Sequence, residues 1–301
     1  MASFTLSPAA PFDMAHTLAA LAGFAASPVT RRPGPNVFRQ AWRPDGGGRP
    51  RVVELRSVGS IDRPQLTVHV DDPLDAAERE AFARTVTRSL ALALDVRPLE
   101  AVDDPPFRPV LSALRGYHPP RFPHPFEAAC WALVRQRTPL SFAVTSMARI
   151  AAALGERLPA GGDTYLLFPE PAALAHGARR ALLAATNNTR KVDRLVAAAR
   201  VYLAVEDGWL LTAGYEEAYR WLLGVPGLGP WSAEFVLQRA LGHFERVPWT
   251  DTGALSAISR VYAPGLSIAR GSARELAERY GWLQGLWLQY LKRYVFTLAK
   301  A

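Results

Sequence analysis

The pattern of apolar and polar positions changes character near residue 110. Before it, residues 36–43, 51–57 and 65–70 alternate in polarity and carry β-branched or aromatic side chains, the period-two signature of half-buried strands. Pro-Asp-Gly-Gly-Gly (44–48) and Gly-Ser-Ile-Asp-Arg-Pro (59–64) separate them, which predicts a three-stranded antiparallel meander. A strand over 3–7 and helices over 13–25 and 74–94 are expected to flank it. The second helix is expected to start at Asp72-Pro73, a cap-and-start pair followed by acids.

Asp103-Asp104-Pro105-Pro106 opens a proline-rich connection that continues through Tyr117-His118-Pro119-Pro120 and Phe122-Pro123-His124-Pro125. Such spacing resists helix and marks a boundary. From Phe126 onward the period is helical almost throughout: Phe126, Cys130, Leu133 and Val134 share one stripe, and Val192, Leu195, Val196, Ala199 and Leu203 another. The predicted fold class is therefore mostly α with an amino-terminal α+β domain. Residues 1–110 form the sheet domain and residues 111–301 the helical domain.

Composition narrows the classes. In 301 residues, 49% hydrophobic and 21% charged, a disordered or collagen-like chain is excluded. One cysteine, Cys130, excludes a disulfide framework and cysteine-based zinc or iron–sulfur sites. None of the six histidines stands at metal-ligand spacing from another ligand, so no catalytic metal and no cofactor are expected. No apolar run approaches the roughly 18 residues of a membrane span. Residues 18–26 are apolar, but Asp13 precedes them and no basic residue occurs before Arg31, so they read as a core helix rather than a signal peptide. A cytoplasmic, monomeric protein is the expectation. The net charge of +8 rests on arginine, because only Lys191, Lys292 and Lys300 are lysines. Codon usage in a GC-rich genome produces such a bias, and so does phosphate binding, since a guanidinium makes bidentate contacts to phosphate.

The segment with most chemical content is Leu222-Leu223-Gly224-Val225-Pro226-Gly227-Leu228-Gly229-Pro230-Trp231-Ser232-Ala233-Glu234-Phe235. An apolar helix ends, a Pro-Gly-Leu-Gly turn reverses the chain, and a second helix begins. Gly227 and Gly229 are expected to adopt positive φ and to leave backbone N–H groups uncovered. With the following helix's N-terminus, those groups suit a phosphate. Taken alone, the turn is an ordinary connection between helices. Downstream, Val247-Pro248-Trp249-Thr250-Asp251-Thr252-Gly253 places an Asp 22 residues after Gly229, directly before another helix. That position suits an N-cap.

Hairpin, Gly/Pro loop and Asp in this order resemble the helix-hairpin-helix superfamily of base-excision DNA glycosylases. The hairpin region is 222–240 and the Asp loop 246–252. Phe126-Glu127-Ala128-Ala129-Cys130-Trp131-Ala132-Leu133-Val134-Arg135-Gln136 resembles the helix that opens the glycosylase domain. Thr5-Leu6 and Pro11-Phe12-Asp13 resemble the amino-terminal domain of the bacterial alkylation-repair branch, DNA-3-methyladenine glycosylase II.

The resemblance implies a DNA glycosylase, an N-glycosyl hydrolase acting on double-stranded DNA with alkylated bases such as 3-methyladenine and 7-methylguanine. Asp251 matches the catalytic aspartate. Trp231 and Phe235, one turn apart, match base-pocket aromatics, with Ala20 and Thr252 at positions where an aromatic often stands. Val225, Gly227, Gly229, Gln136 and Thr250 would meet the DNA backbone, and the hairpin carbonyls of the family can hold a structural monovalent cation. Arg137 extends the Phe126 stripe and occupies the position that fills the gap left by a flipped base. Trp231 also stands where lyase members carry their lysine. No lysine occurs between 191 and 292, and Lys191 reads as a phosphate contact or a solvated helix start. Monofunctional hydrolysis is the expectation, because strand cleavage through a Schiff base needs an amine. Trp282 and Trp287 are expected in the core.

Overall fold

The computed structural model describes residues 2–23, 37–205 and 207–299. The predicted end of the first helix at 24–25 and the first residue of the 36–43 strand lie outside the described residues. The amino-terminal part holds β1 (Ala2–Leu6), α1 (Met14–Gly23), β2 (Val37–Trp42), β3 (Arg51–Ser60), β4 (Arg63–Val70) and α2 (Ala76–Ser89). The meander gains a fourth strand, because β1 pairs antiparallel with β4 to give the order β1-β4-β3-β2. Its β3–β4 arm is longer than predicted. Pairing continues to Ser60 opposite Arg63, so only Ile61 and Asp62 turn the chain. The inner face, Val53, Leu55, Leu66 and Val68, is fully buried with Phe82 and Val86 of α2.

Helix α2 starts three residues later than Asp72-Pro73 suggested. Asp75 is the N-cap, accepting from Glu78 N at 2.8 Å while Glu78 Oε2 accepts from Asp75 N at 3.2 Å. A reciprocal capping box satisfies two orphan donors and outcompetes the earlier site. Asp72 pairs instead with Arg51. The helix stops at Ser89 rather than 94, since Ala91 turns left-handed (φ 52°).

After α3 (Arg108–Ala113), the helical part runs through α4 (Pro125–Arg135), α5 (Leu140–Leu154), α6 (Pro171–Ala175), α7 (Arg179–Thr186), α8 (Thr189–Leu203), α9 (Asp207–Thr212), α10 (Tyr215–Gly224), α11 (Pro230–Val236), α12 (Thr252–Tyr262), α13 (Arg270–Glu278) and α14 (Gln284–Leu298). The all-helix expectation fails once. A hairpin of β5 (Arg157–Ala160) and β6 (Asp163–Leu166) turns at Gly161-Gly162.

Two helical cores flank the site. In the first, α4 is buried at every position from Pro125 to Val134, with α8, α10 and α11 packed around it. Apolar residues of α12–α14 form the second with Val96, Leu99, Phe107, Val110 and Tyr117, so the proline-rich connection belongs structurally with the carboxy-terminal helices. Asp104 fastens it there, accepting from Tyr262 and Tyr280 hydroxyls at 2.6 Å each. Ala20 of α1 joins the same core. Its helix is held by Thr17 Oγ1, which donates to His118 O at 3.1 Å. The His118 ring bridges Ala91 O and Pro11 O, and burial pushes its pKa down. Trp287 is in the core as expected, whereas Trp282 is 60% exposed. Among the described residues no helix is long and apolar enough to cross a membrane.

Candidate active site

Helix α10 ends at Gly224 and α11 begins at Pro230, a proline at N1 where the missing N–H costs nothing. Between them Gly227 has φ +88°. A Cβ there would lie 2.7 Å from Arg194 Cδ and 3.0 Å from Leu133 Cδ2, so both conformation and space require glycine. Gly229 differs from expectation. It is the N-cap of α11 in extended backbone (φ −101°, ψ −177°), and a Cβ on it would meet nothing within 4 Å. Its smallness leaves the approach to α11 open. Val225 is also corrected: its side chain is buried in the first core, so it anchors the turn from inside. Among the described residues the N–H groups of Gly227 and Gly229 find no partner.

The hairpin borders an open groove with Arg137, Asn188, Arg190, Lys191 and Arg194 along its other side. Arg137 is not on the helical stripe. Helix α4 stops at Arg135, Gln136 turns extended (ψ 120°), and Arg137 takes φ +51°. The proline at 139 explains the early stop. Arg137 is exposed and has no hydrogen-bond or ion-pair partner among the described residues. Gln136 is committed inside the protein: Nε2 donates to Gly227 O at 2.8 Å and Ser232 Oγ at 3.1 Å, and Oε1 accepts from Arg194 at 2.7 Å. It braces the hairpin. Lys191 lies in the first turn of α8, but its ammonium turns inward to Val134 O and Thr138 Oγ1, and burial lowers its pKa. The Val225 and Gly227 carbonyls accept from Leu228 N and Gln136 Nε2. Among the described residues no group of three His, Cys, Asp or Glu side chains is placed to hold a metal.

At its far end the groove reaches Asp251 and Thr252. Asp251 is the N-cap of α12, with Oδ1 accepting from Gly253 N at 2.9 Å. Its Oδ2 accepts from the Lys292 ammonium of α14. Thr250 is exposed and donates its hydroxyl to Glu234 of α11. Burial, with the Asp251 charge nearby, pushes the Glu234 carboxyl above its usual range. The loop carrying Asp251 is thereby fixed to helices on both sides.

Asp251 also lines a cavity of about 320 Å³. Trp231 and Phe235 stack in its wall with centroids 5.7 Å apart and planes at 27°. Trp131 of α4, Tyr117 and Ala20 complete an aromatic and apolar lining. Gln238, Arg239 and, from α14, Lys292 and Arg293 supply the polar part. The structure thus brings together Asp251, Trp231, Phe235 and Ala20 of the predicted set. Thr252 is exposed and faces the groove, because it is one residue beyond the cap and the helix has already turned. Sequence reasoning missed Trp131, Tyr117, Arg239, Lys292 and Arg293. Arg135, Trp231 and Asp251 border both cavity and groove.

The fold is that of the helix-hairpin-helix DNA glycosylases. A 3-methyladenine DNA glycosylase from Archaeoglobus fulgidus superposes over 100% of both chains with TM-score 0.79 and 25% sequence identity. By sequence, a DNA-3-methyladenine glycosylase of Bacillus subtilis is 26% identical over 217 residues, 69% of this chain and 72% of that protein. A probable bifunctional transcriptional activator/DNA repair enzyme AlkA of Mycobacterium tuberculosis is 28% identical over 193 residues, 62% of this chain but 38% of that one. No protein-family model matches the chain. The resemblance read from the hairpin and Asp251, and the fold class, are borne out by these relatives.

Proposed function

We propose that the protein is a DNA glycosylase of base excision repair, which flips an alkylated base out of duplex DNA and hydrolyses its glycosidic bond. The observation that carries this reading is the position of Asp251, a carboxylate where an aromatic cavity sized for a base meets a basic groove sized for a backbone. The groove side, with the Gly227 and Gly229 N–H groups and the cations of 135–138 and 188–194, suits phosphates. Flipping costs a few kcal/mol, and stacking against Trp231 and Phe235 offsets it. A cationic 3-methyladenine or 7-methylguanine already has a weak bond to its sugar. As that bond breaks, positive charge develops at the sugar's C1′, and the Asp251 carboxylate stabilises it and orients the attacking water. Helix α11 bears no amine, so it supplies none of the Schiff-base chemistry of lyase members. Arg137 fills the vacated stack, and the protein acts as a monomer in the cytoplasm on the nucleoid.

Analysis of the bases released from randomly methylated duplex DNA tests this reading. Release of 3-methyladenine and 7-methylguanine is expected. Tight binding with no release would reduce the protein to a hairpin-type DNA-binding module. Release of deaminated or oxidised bases alone would move it to another substrate class.

A further inference from the structure

Part of the cavity's polar lining is a directed chain of hydrogen bonds. After α11 the backbone widens into a π turn over Leu237–Leu241, closed by Gly242 N donating to Leu237 O at 2.7 Å. That turn carries Gln238 and Arg239, two consecutive and nearly buried side chains, and both line the cavity. Gln238 Nε2 donates to Arg246 O at 2.9 Å. Gln289 Nε2, from α14, donates to Gln238 Oε1 at 2.8 Å, and Arg239 Nη1 donates to Gln289 Oε1 at 3.3 Å. A backbone carbonyl stands at one end and a guanidinium at the other. Neither amide can therefore be turned round without setting donor against donor or acceptor against acceptor. The anchored end is closely built: a Cβ on Gly285 would lie 2.8 Å from Gln238 Nε2, Arg246 O and Phe244 O, so only glycine fits beside it.

The chain is one-sided towards a ligand. Each amide oxygen already accepts a hydrogen bond, whereas each amide nitrogen spends one of its two hydrogens on the chain, and a guanidinium carries five N–H donors and no acceptor. Lys292 and Arg293, the cations of α14 in the lining, are donors as well. The carboxylate of the lining, Asp251, already accepts from Gly253 N and Lys292. We infer that the cavity chooses among alkylated bases by a carbonyl oxygen on the base edge, taking 7-methylguanine through its O6 ahead of 3-methyladenine, which carries an amine there. The inference rests on the proposed function. Both bases are cationic in DNA, so the cations of the lining act on them alike and the edge decides. A carbonyl meets donors, whereas an exocyclic amine sets N–H against N–H and leaves buried donors unpaired. Arg239 sets the sign of the choice, because it is the group that engages the Gln289 oxygen.

The test has two arms, both on the full chain. In the first, initial rates of release from randomly methylated duplex DNA give the ratio of 7-methylguanine to 3-methyladenine. The two glycosidic bonds differ in intrinsic strength, so the ratio is compared between variants and wild type. Arg239→Met removes the donors and turns the Gln289 oxygen into an acceptor, and is expected to lower the ratio about 10-fold. Arg239→Lys keeps a donor and should stay within about 3-fold of wild type. Gln238→Leu cuts the chain at its anchored end and should lower the ratio as well, which provides a second variant if Arg239→Met fails to fold. Thermal melting and affinity for undamaged duplex report folding. A folded Arg239→Met or Gln238→Leu with the wild-type ratio overturns the inference. In the second arm, free 7-methylguanine and free 3-methyladenine are titrated against the tryptophan fluorescence of the wild-type protein, since Trp131 and Trp231 line the cavity. Binding of 7-methylguanine at least about 5-fold tighter is expected, and equal binding overturns the inference. Release of neither base with selective binding retained removes the proposed glycosylase and leaves the choice of edge standing.

Discussion

The groove and the cavity meet at Asp251, yet they are assembled from opposite kinds of sequence. The groove comes from three short runs, 135–138, 188–194 and 227–229, each a helix end or a helix start. Its donors are backbone N–H groups and guanidiniums, which read charge and spacing rather than base identity. The cavity is gathered from α1, the proline-rich connection, α4, α11 and α14. Its lining is largely aromatic, with Arg135, Arg239, Lys292 and Arg293 among the lining residues. On the proposed reading, backbone recognition is a property of local turns, and base recognition a property of the packed fold. Substitutions in the two regions should separate accordingly.

Asp251→Asn belongs to both and should have the largest effect. Excision is expected to fall ~10²-fold or more, with duplex binding nearly unchanged, in single-turnover assays beside gel shifts. Asn still caps the Gly253 N–H, so thermal stability should hardly move. Trp231→Ala comes next. Stacking of a base on an aromatic is worth ~1–3 kcal/mol, so excision should drop about 10- to 100-fold while affinity for undamaged duplex is kept. Equal losses in both assays would erase the distinction between cavity and groove.

How much of this was legible follows the same division. The hairpin, Asp251, Trp231 and Phe235 lie within 30 residues of chain, and their order carries the meaning. Lys292 and Arg293 stand about 40 residues further on, and nothing in α14 marks them as facing a carboxylate. Trp131 was hidden for another reason. Helix α4 is buried on all sides and apolar at nearly every position, so a residue facing a cavity looks like one facing the core. Val225 shows the converse, since a motif position facing inward cannot be told from its outward neighbours. The β5–β6 hairpin did have a signal: Gly161-Gly162 between Leu158 and Tyr165 is a two-residue turn between short strands. A surrounding helical pattern outweighed it.

Within the groove, the two glycines give a finer contrast. Gly227→Val imposes positive φ on a β-branched residue and pushes on Arg194 and Leu133. It should cost ~1–3 kcal/mol of stability and weaken binding to every duplex sequence. Gly229→Val has extended backbone and open space, so its loss should appear in binding alone. In both, the dependence of affinity on salt reports the lost phosphate contact. If Gly229→Val binds like wild type at moderate salt, the space before α11 is not a phosphate site. Arg137→Ala, which removes a partnerless side chain, should slow excision several-fold on intact duplex and less on a mismatched site. Equal slowing on both rejects gap filling.

The smallest expected effects divide Ala20 from Thr252. The resemblance read from the sequence pairs them as one missing aromatic wall. The structure separates them: Ala20 is nearly buried against the cavity, whereas Thr252 is exposed at the end of the groove. Enlarging Ala20 should therefore narrow the range of released bases. Ala20→Phe carries an overpacking cost of ~1–3 kcal/mol, so Ala20→Leu is the gentler companion, and the two should shift the spectrum in the same direction. Methylated pyrimidines and bulkier ring-alkylated adducts should be lost before 3-methyladenine, because small bases need less of the space that Ala20 leaves. Thr252→Tyr should leave the ratio of released bases as it is and alter affinity for duplex DNA a few-fold at most. A spectrum that narrows with Thr252→Tyr and not with Ala20→Leu would place the open wall on the α12 side, and the cavity beside Trp231 would lose its claim to the base.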